Sequence, residues 1–192
     1  MSAAGFQGLV AGVGGQGVIF VTRLLSAGLR ARYPNILVSE VHGMAQRGGS
    51  VVSHVKAGDF SGPLVRAGAA DLLFSLDPGE AIRNLVYLKP GGDLVVSAPD
   101  AGFLSAKGRK ALAEHGGRVF MVDAGRAAAQ AGAPKGINVV MLAAAAQAGM
   151  LPMSLADLAA TLDAMSPPAR RRANRKLLKT GVKLAEDSAQ AA

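Results

Sequence analysis

The hexapeptide Gly12-Val13-Gly14-Gly15-Gln16-Gly17 constrains this chain more than any other stretch. It ends an apolar run, Phe6 to Val13, that reads as a buried strand. It opens a segment, Gly15 to about Arg32, in which Val18, Val21, Leu24, Leu25 and Leu29 fall on one face of a helix. A G-x-G-x-x-G pattern between strand and helix is the turn of a Rossmann-like unit. Its first glycine serves a tight turn and its second a close approach of backbone to phosphate. Its third lets helix and strand pack closely, with helix N–H groups facing an anion. Gly12, Gly14, Gly15, Gln16 and Gly17 are therefore candidate ligand contacts, for a dinucleotide or another phosphate, and a purely structural turn is the alternative.

Tyr33-Pro34-Asn35 stops the helix, because proline disfavours helical backbone at the residue before it. Ile36 to Ser39 then reads as a second strand, and strand–helix–strand begins a parallel α/β sheet. Further strands are expected at Ser50 to Lys56, at the sheet edge, and at Asp71 to Leu76, Leu94 to Ser97 and Arg118 to Val122. Asp77-Pro78 opens a helix, with Asp as N-cap and Pro at the first helical position. Lys89-Pro90-Gly91-Gly92 and Gly116-Gly117 read as turns. Ala124 to Ala133, Ile137 to Gln147, Ser154 to Ala164 and Pro168 to about Glu186 read as helices, and Ser154 with Asp157 resembles a capping box. The expected fold is a Rossmann-like three-layer α/β domain with a mostly parallel sheet and a C-terminal helical extension. One domain spans 1–192, with an α/β core over 1–134 and a helical part over 135–192.

The segment Glu40-Val41-His42-Gly43-Met44-Ala45-Gln46-Arg47-Gly48-Gly49-Ser50 reads as a loop with more chemistry than a connection needs. It holds a carboxylate, an imidazole, an amide and a guanidinium among glycines. Arg47 is the candidate anion contact, since a guanidinium pairs carboxylate or phosphate bidentately, with a structural salt bridge as the alternative. Glu40 lies 23 residues after Gly17, so it also fits the ribose-binding acid of a dinucleotide site. His42 has no Ser–His–Asp set or metal-ligand spacing around it. His54 alternates with valines and reads as structural, and His115 as solvated near a helix end.

Composition removes several classes. The chain has no cysteine, so it forms no disulfide and supplies no thiolate to an iron–sulfur cluster. Met1 to Gly8 lacks the basic and apolar regions of a signal peptide, and no apolar run is long enough to span a bilayer. A cytoplasmic protein without a membrane partner is expected. Of the net charge of +8, an excess of +5 lies after residue 165. That run lacks interleaved aromatics and any base-reading motif, so a solvated face or an acidic partner is expected, not nucleic acid.

The two glycine-rich motifs together resemble the gamma-type domain of the 2-oxoacid:ferredoxin oxidoreductases. The His42-Gly43-Met44-Ala45-Gln46-Arg47-Gly48-Gly49 form is most similar to the indolepyruvate-type members. Asp71-Leu72-Leu73, Asp77-Pro78-Gly79-Glu80-Ala81, Tyr87-Leu88-Lys89-Pro90-Gly91-Gly92 and Asn138 extend the resemblance over nearly the whole chain. It implies oxidative decarboxylation of aryl-2-oxoacids to aryl-acetyl-CoA, with coenzyme A as co-substrate and ferredoxin reduced. It also implies thiamine diphosphate, Mg and iron–sulfur clusters. The chain has no Gly-Asp-Gly thiamine signature with a downstream Asn and no cysteine, so these cofactors are expected in a larger alpha subunit. Glu40, His42, Met44, Gln46, Arg47 and Gly48 would face that partner, and the Gly12–Gly17 loop a CoA phosphate. A self-sufficient NAD(P)-binding Rossmann oxidoreductase is the alternative.

Overall fold

A computed structural model of the chain describes residues 5–43 and 48–190. The glycine turn joins β1 (Phe6–Val13) to α1 (Val18–Leu29). There follow β2 (Ile36–His42), β3 (Ser50–Ala57), β4 (Ala70–Ser75), α2 (Pro78–Asn84), β5 (Leu88–Ser97), α3 (Ala106–Glu114) and β6 (Val119–Val122). Then come α4 (Ala124–Gln130), α5 (Ile137–Gln147), α6 (Leu155–Met165) and α7 (Pro168–Gln190).

The strands form one sheet in the order β2-β3-β1-β4-β5-β6. The pairs β1–β4, β4–β5 and β5–β6 are parallel, whereas β3 runs antiparallel to both its neighbours, so the sheet is mostly parallel, as expected. β3 is not the edge strand its composition suggested. It forms a hairpin with β2 and inserts between β2 and β1. β3 is enclosed because both its edges are paired and its later residues, Ser53 to Ala57, are buried. Lys89-Pro90-Gly91-Gly92 is not a free turn either. It lies inside β5, where the ladder with β4 shifts between Ala70 and Leu72, and Gly91 takes φ +74° to allow the bulge.

Alternation along β1 and β4 sorts the core into two layers. Val10, Leu72 and Phe74 face α1 and the helices α4 to α7. Leu9, Ala11 and Leu73 face the other way, with Ala81 of α2 and Leu112 of α3. α5 is buried from Val139 to Ala146. A helix apolar on every side must be enclosed, and α7 encloses this one with Leu177, Leu178 and Ala185. The close crossing depends on Gly181, where a Cβ would run into the Val140 carbonyl and approach Ala143 Cβ to 2.7 Å.

Candidate functional site

The helices that follow two adjacent parallel strands leave the sheet on opposite sides. α1 follows β1 and packs on one face; α2 follows β4 and packs on the other. Such a divergence opens a crevice beyond the carboxyl ends of the strands, which is where α/β sheets bind ligands.

The glycine turn forms one wall. Gln16 closes it internally: its backbone N–H donates to the Val13 carbonyl at 3.1 Å, and its Oε1 accepts from Val13 N–H at 2.8 Å. The Gln16 carbonyl group therefore faces its own turn, not a ligand. Gly12 is also a packing residue. It sits within β1 opposite Val51, and a Cβ there would come within 2.8 Å of Gln16 Oε1 and 2.9 Å of Val18 Cγ2. Gly17 is the N-cap of α1, at φ +90°, and no side chain caps the helix. The first N–H groups of α1 are left for solvent or an anion.

The tip of the β2–β3 hairpin forms the other wall. Gly14 N–H donates to the Gly49 carbonyl at 2.9 Å, and Gly43 N–H to the Ser50 carbonyl at 2.8 Å. The first bond joins the two sequence motifs and the second closes the hairpin, so both motifs face a single cleft of about 330 Å³. Gly14, Gly15, Gly17 and Ile19 line one side of it, and His42, Gly43, Gly49 and Ser50 the other.

Glu40 and His42 are strand residues of β2, since the strand runs past Ser39 to His42. They share a face, with Glu40 Oε2 at 3.4 Å from His42 Nε2. The inserted β3 also decides against Glu40 as a ribose-binding acid. Two strand spacings, about 9.6 Å, separate β2 from β1, whereas the fingerprint acid ends the strand next to the glycine turn. Gly48 adopts φ +71° at the hairpin tip, where an added Cβ would meet nothing. Met44, Gln46 and Arg47 lie outside the described residues.

Glu80 supports the cleft wall through Ser50, a role sequence reasoning did not give it when it read the residue as part of the Asp77–Ala81 motif. Its side chain is 1% exposed. Its Oε2 accepts from Ser50 Oγ at 2.6 Å, and its Oε1 pairs with Arg83. Asp77 caps the same helix through Gly79 N–H at 2.8 Å and Glu80 N–H at 3.1 Å, fixing the carboxylate under the cleft. The Ser50 proton is thus committed to Glu80, and the Ser50 oxygen offers lone pairs to the cleft. Asn138 is a second such residue, and its amide lies against Gly17 where a Cβ would stand. In sequence, Asn138 stood out only as one of the residues that extend the family resemblance, at a helix start.

His54 lies apart from the cleft, buried in β3. It accepts from Val65 N–H through Nδ1 at 3.2 Å and meets the Tyr87 ring edge-on. Burial first, and then the charge of Lys56, hold its imidazole below the usual range. His115 does end a helix, but its Nε2 is buried, contrary to the solvated position expected of it. Among the described residues no cluster of His, Asp or Glu could hold a metal ion, and no helix is long and apolar enough to cross a membrane.

Residues 7–187 match the family model described as pyruvate ferredoxin/flavodoxin oxidoreductase. The chain is 35% identical over 193 residues to indolepyruvate oxidoreductase subunit IorB of Thermococcus kodakarensis, with 93% of this chain and 95% of that one covered. It is 31% identical to the subunit of the same name from Methanothermobacter thermautotrophicus, over 80% of this chain and 84% of that one. In fold it is similar to the gamma subunit of a keto/oxoacid ferredoxin oxidoreductase from Geobacter sulfurreducens. There the TM-score is 0.71 at 22% identity, over 95% of this chain and 99% of that one. It is also similar to 32% of a chain of the 2-oxoglutarate:ferredoxin oxidoreductase from Magnetococcus marinus, a structure with 2-oxoglutarate, coenzyme A and succinyl-CoA bound. That match has a TM-score of 0.72 at 19% identity and covers 96% of this chain.

Proposed function

Because the chain belongs to the pyruvate ferredoxin/flavodoxin oxidoreductase family, we propose that it is the subunit without redox cofactors of an indolepyruvate-type 2-oxoacid:ferredoxin oxidoreductase. The complex would convert indolepyruvate or another aryl pyruvate, with coenzyme A, into the aryl-acetyl-CoA and carbon dioxide, and reduce ferredoxin in the cytoplasm. The observation that carries the reading is the cleft. Two glycine-rich segments meet there around backbone donors, yet the Ser50 hydroxyl in its wall is tied to Glu80 and not to an imidazole. This is a surface for holding and orienting, and among the described residues no nucleophile–base pair lines it.

Thiamine diphosphate with Mg supplies the decarboxylation chemistry, and iron–sulfur clusters the path for electrons. Both are assigned to a larger alpha subunit, since this chain has no thiolate to offer a cluster and no Gly-Asp-Gly signature to hold thiamine diphosphate. This chain's own part is to bind and exclude water. The N–H groups at the start of α1, opened by Gly15 and Gly17, suit a phosphate of coenzyme A. His42 and the hairpin tip would face the partner subunit, with Arg47 the contact for an anionic group.

The test is reconstitution. The purified chain alone is expected to show no oxidation of indolepyruvate, while the complex isolated from native extract reduces ferredoxin when given indolepyruvate and coenzyme A. Arg47→Ala is expected to cut complex activity or assembly at least about tenfold, the scale of one lost charge-assisted contact, with the circular-dichroism melt unchanged. Turnover of indolepyruvate by the chain alone would refute the division of labour. Tight NAD(P)H binding, seen as fluorescence enhancement, would favour the dinucleotide reading.

A further inference from the structure

β2 is the outer strand of the sheet, with β3 on one flank and no hydrogen-bonded neighbour on the other among the described residues. A free edge exposes a row of backbone donors and acceptors. Proteins usually blunt it by shortness, lysine, proline or a bulge. The opposite edge is blunted by shortness, because β6 has four residues. β2 is neither short nor bulged and has no lysine or proline, and its one charged carboxylate is Glu40. It runs for seven residues, Ile-Leu-Val-Ser-Glu-Val-His, and keeps an unbroken register with β3 from Ile36 opposite Ala57 to His42 opposite Val51. Val38 and Val41 are 42% and 50% exposed. Their spacing puts them on opposite faces, so an added strand would find an apolar contact on each side. The strand's charged group, Glu40, is already turned toward His42.

We propose that the free edge of β2 takes up an extended segment of the larger partner subunit by main-chain pairing, an inference that rests on the subunit role above. The path of the strand favours that occupant. β2 ends at His42, which with Gly43 lines the cleft, so a segment laid along the edge arrives at the surface assigned to the partner. Extent argues the same way. Seven paired residues span only about 23 Å, too little for the roughly 1,000 Å² of a free-standing dimer. The edge suits one part of a larger contact. The matching segment carries apolar residues opposite Val38 and Val41 and no acid opposite Glu40.

Amide hydrogen exchange on the natively purified complex and on the isolated chain tests this. Strand addition predicts that the outward-facing amides of residues 36–42 slow by about tenfold or more in the complex. The Val38→Lys/Val41→Lys double variant, altered only at exposed positions, is expected to weaken the complex about tenfold or more with its melting temperature unchanged. A complex that protects residues 13–19 and 48–51 but leaves 36–42 exchanging as in the free chain would overturn the inference and spare the subunit role. An isolated chain that is dimeric and already protected at 36–42 would hand the edge to a second copy and also overturn it. Failure to find any complex with a larger subunit would overturn both.

Discussion

Gly17 is where backbone, packing and ligand demands coincide. Its φ of +90° lies in the left-handed region, and the Asn138 amide occupies the space a side chain would need. Gly15, at φ +99°, has open space around it. The two positions therefore separate strain from collision. Gly15→Ala is expected to cost about 1–2 kcal/mol, from left-handed backbone alone. Gly17→Ala is expected to cost more, because Asn138 must also move, and urea unfolding of the pair measures the difference. His54 supports a second prediction. Its folded-state pKa is lowered by burial and Lys56, so below its unfolded value of about 6.5 the unfolded chain binds a proton that the folded chain refuses. Stability from this residue is complete above that pH and falls as the pH drops toward the lowered folded value. His54→Asn keeps an acceptor for Val65 N–H and does not titrate. Its melting temperature is expected to start lower, but to change less than wild type between pH 7 and pH 5.

Elements were legible in the sequence wherever the signal was local. β1, α1, the Asp77-Pro78 cap of α2 and the Ser154–Asp157 capping box formed where periodicity and capping chemistry placed them. Pairing order was not legible, because no residue of Ser50 to Ala57 states which strand it will meet. The hairpin to β2 and the insertion beside β1 are decisions of the assembled sheet. The same limit hid the cleft. Gly14 and Gly49 are far apart in sequence and meet only once β3 is in register. Glu80 was hidden for another reason: a glutamate in the first turn of a capped helix usually serves its own helix, and this one turns toward Ser50. Crossing of α5 and α7 is likewise a packing fact, set by a glycine that reads locally as a helix-weakening residue. Gly181→Val is expected to lose about 1–3 kcal/mol by overpacking against Val140 and Ala143, measured by denaturant unfolding.

At the scale of the molecule, the C-terminal helices share one apolar cluster with α1 and the sheet. Deleting residues 168–192 removes Leu177, Leu178 and Ala185 from that cluster, each leucine worth about 1.5–3 kcal/mol of burial. It also uncovers α5, which has no polar face to show to water. The truncated chain is expected to lose its cooperative melt and to bind a hydrophobic dye, as read by calorimetry and fluorescence. The hairpin tip is under a different constraint. Its anchors are backbone bonds from Gly14 and Gly43, and the strands below it carry the register. Side-chain changes that leave these two backbone bonds in place can therefore accumulate over generations without unfolding the protein. What this tip touches, and not what it supports, is left to decide which side chains survive there.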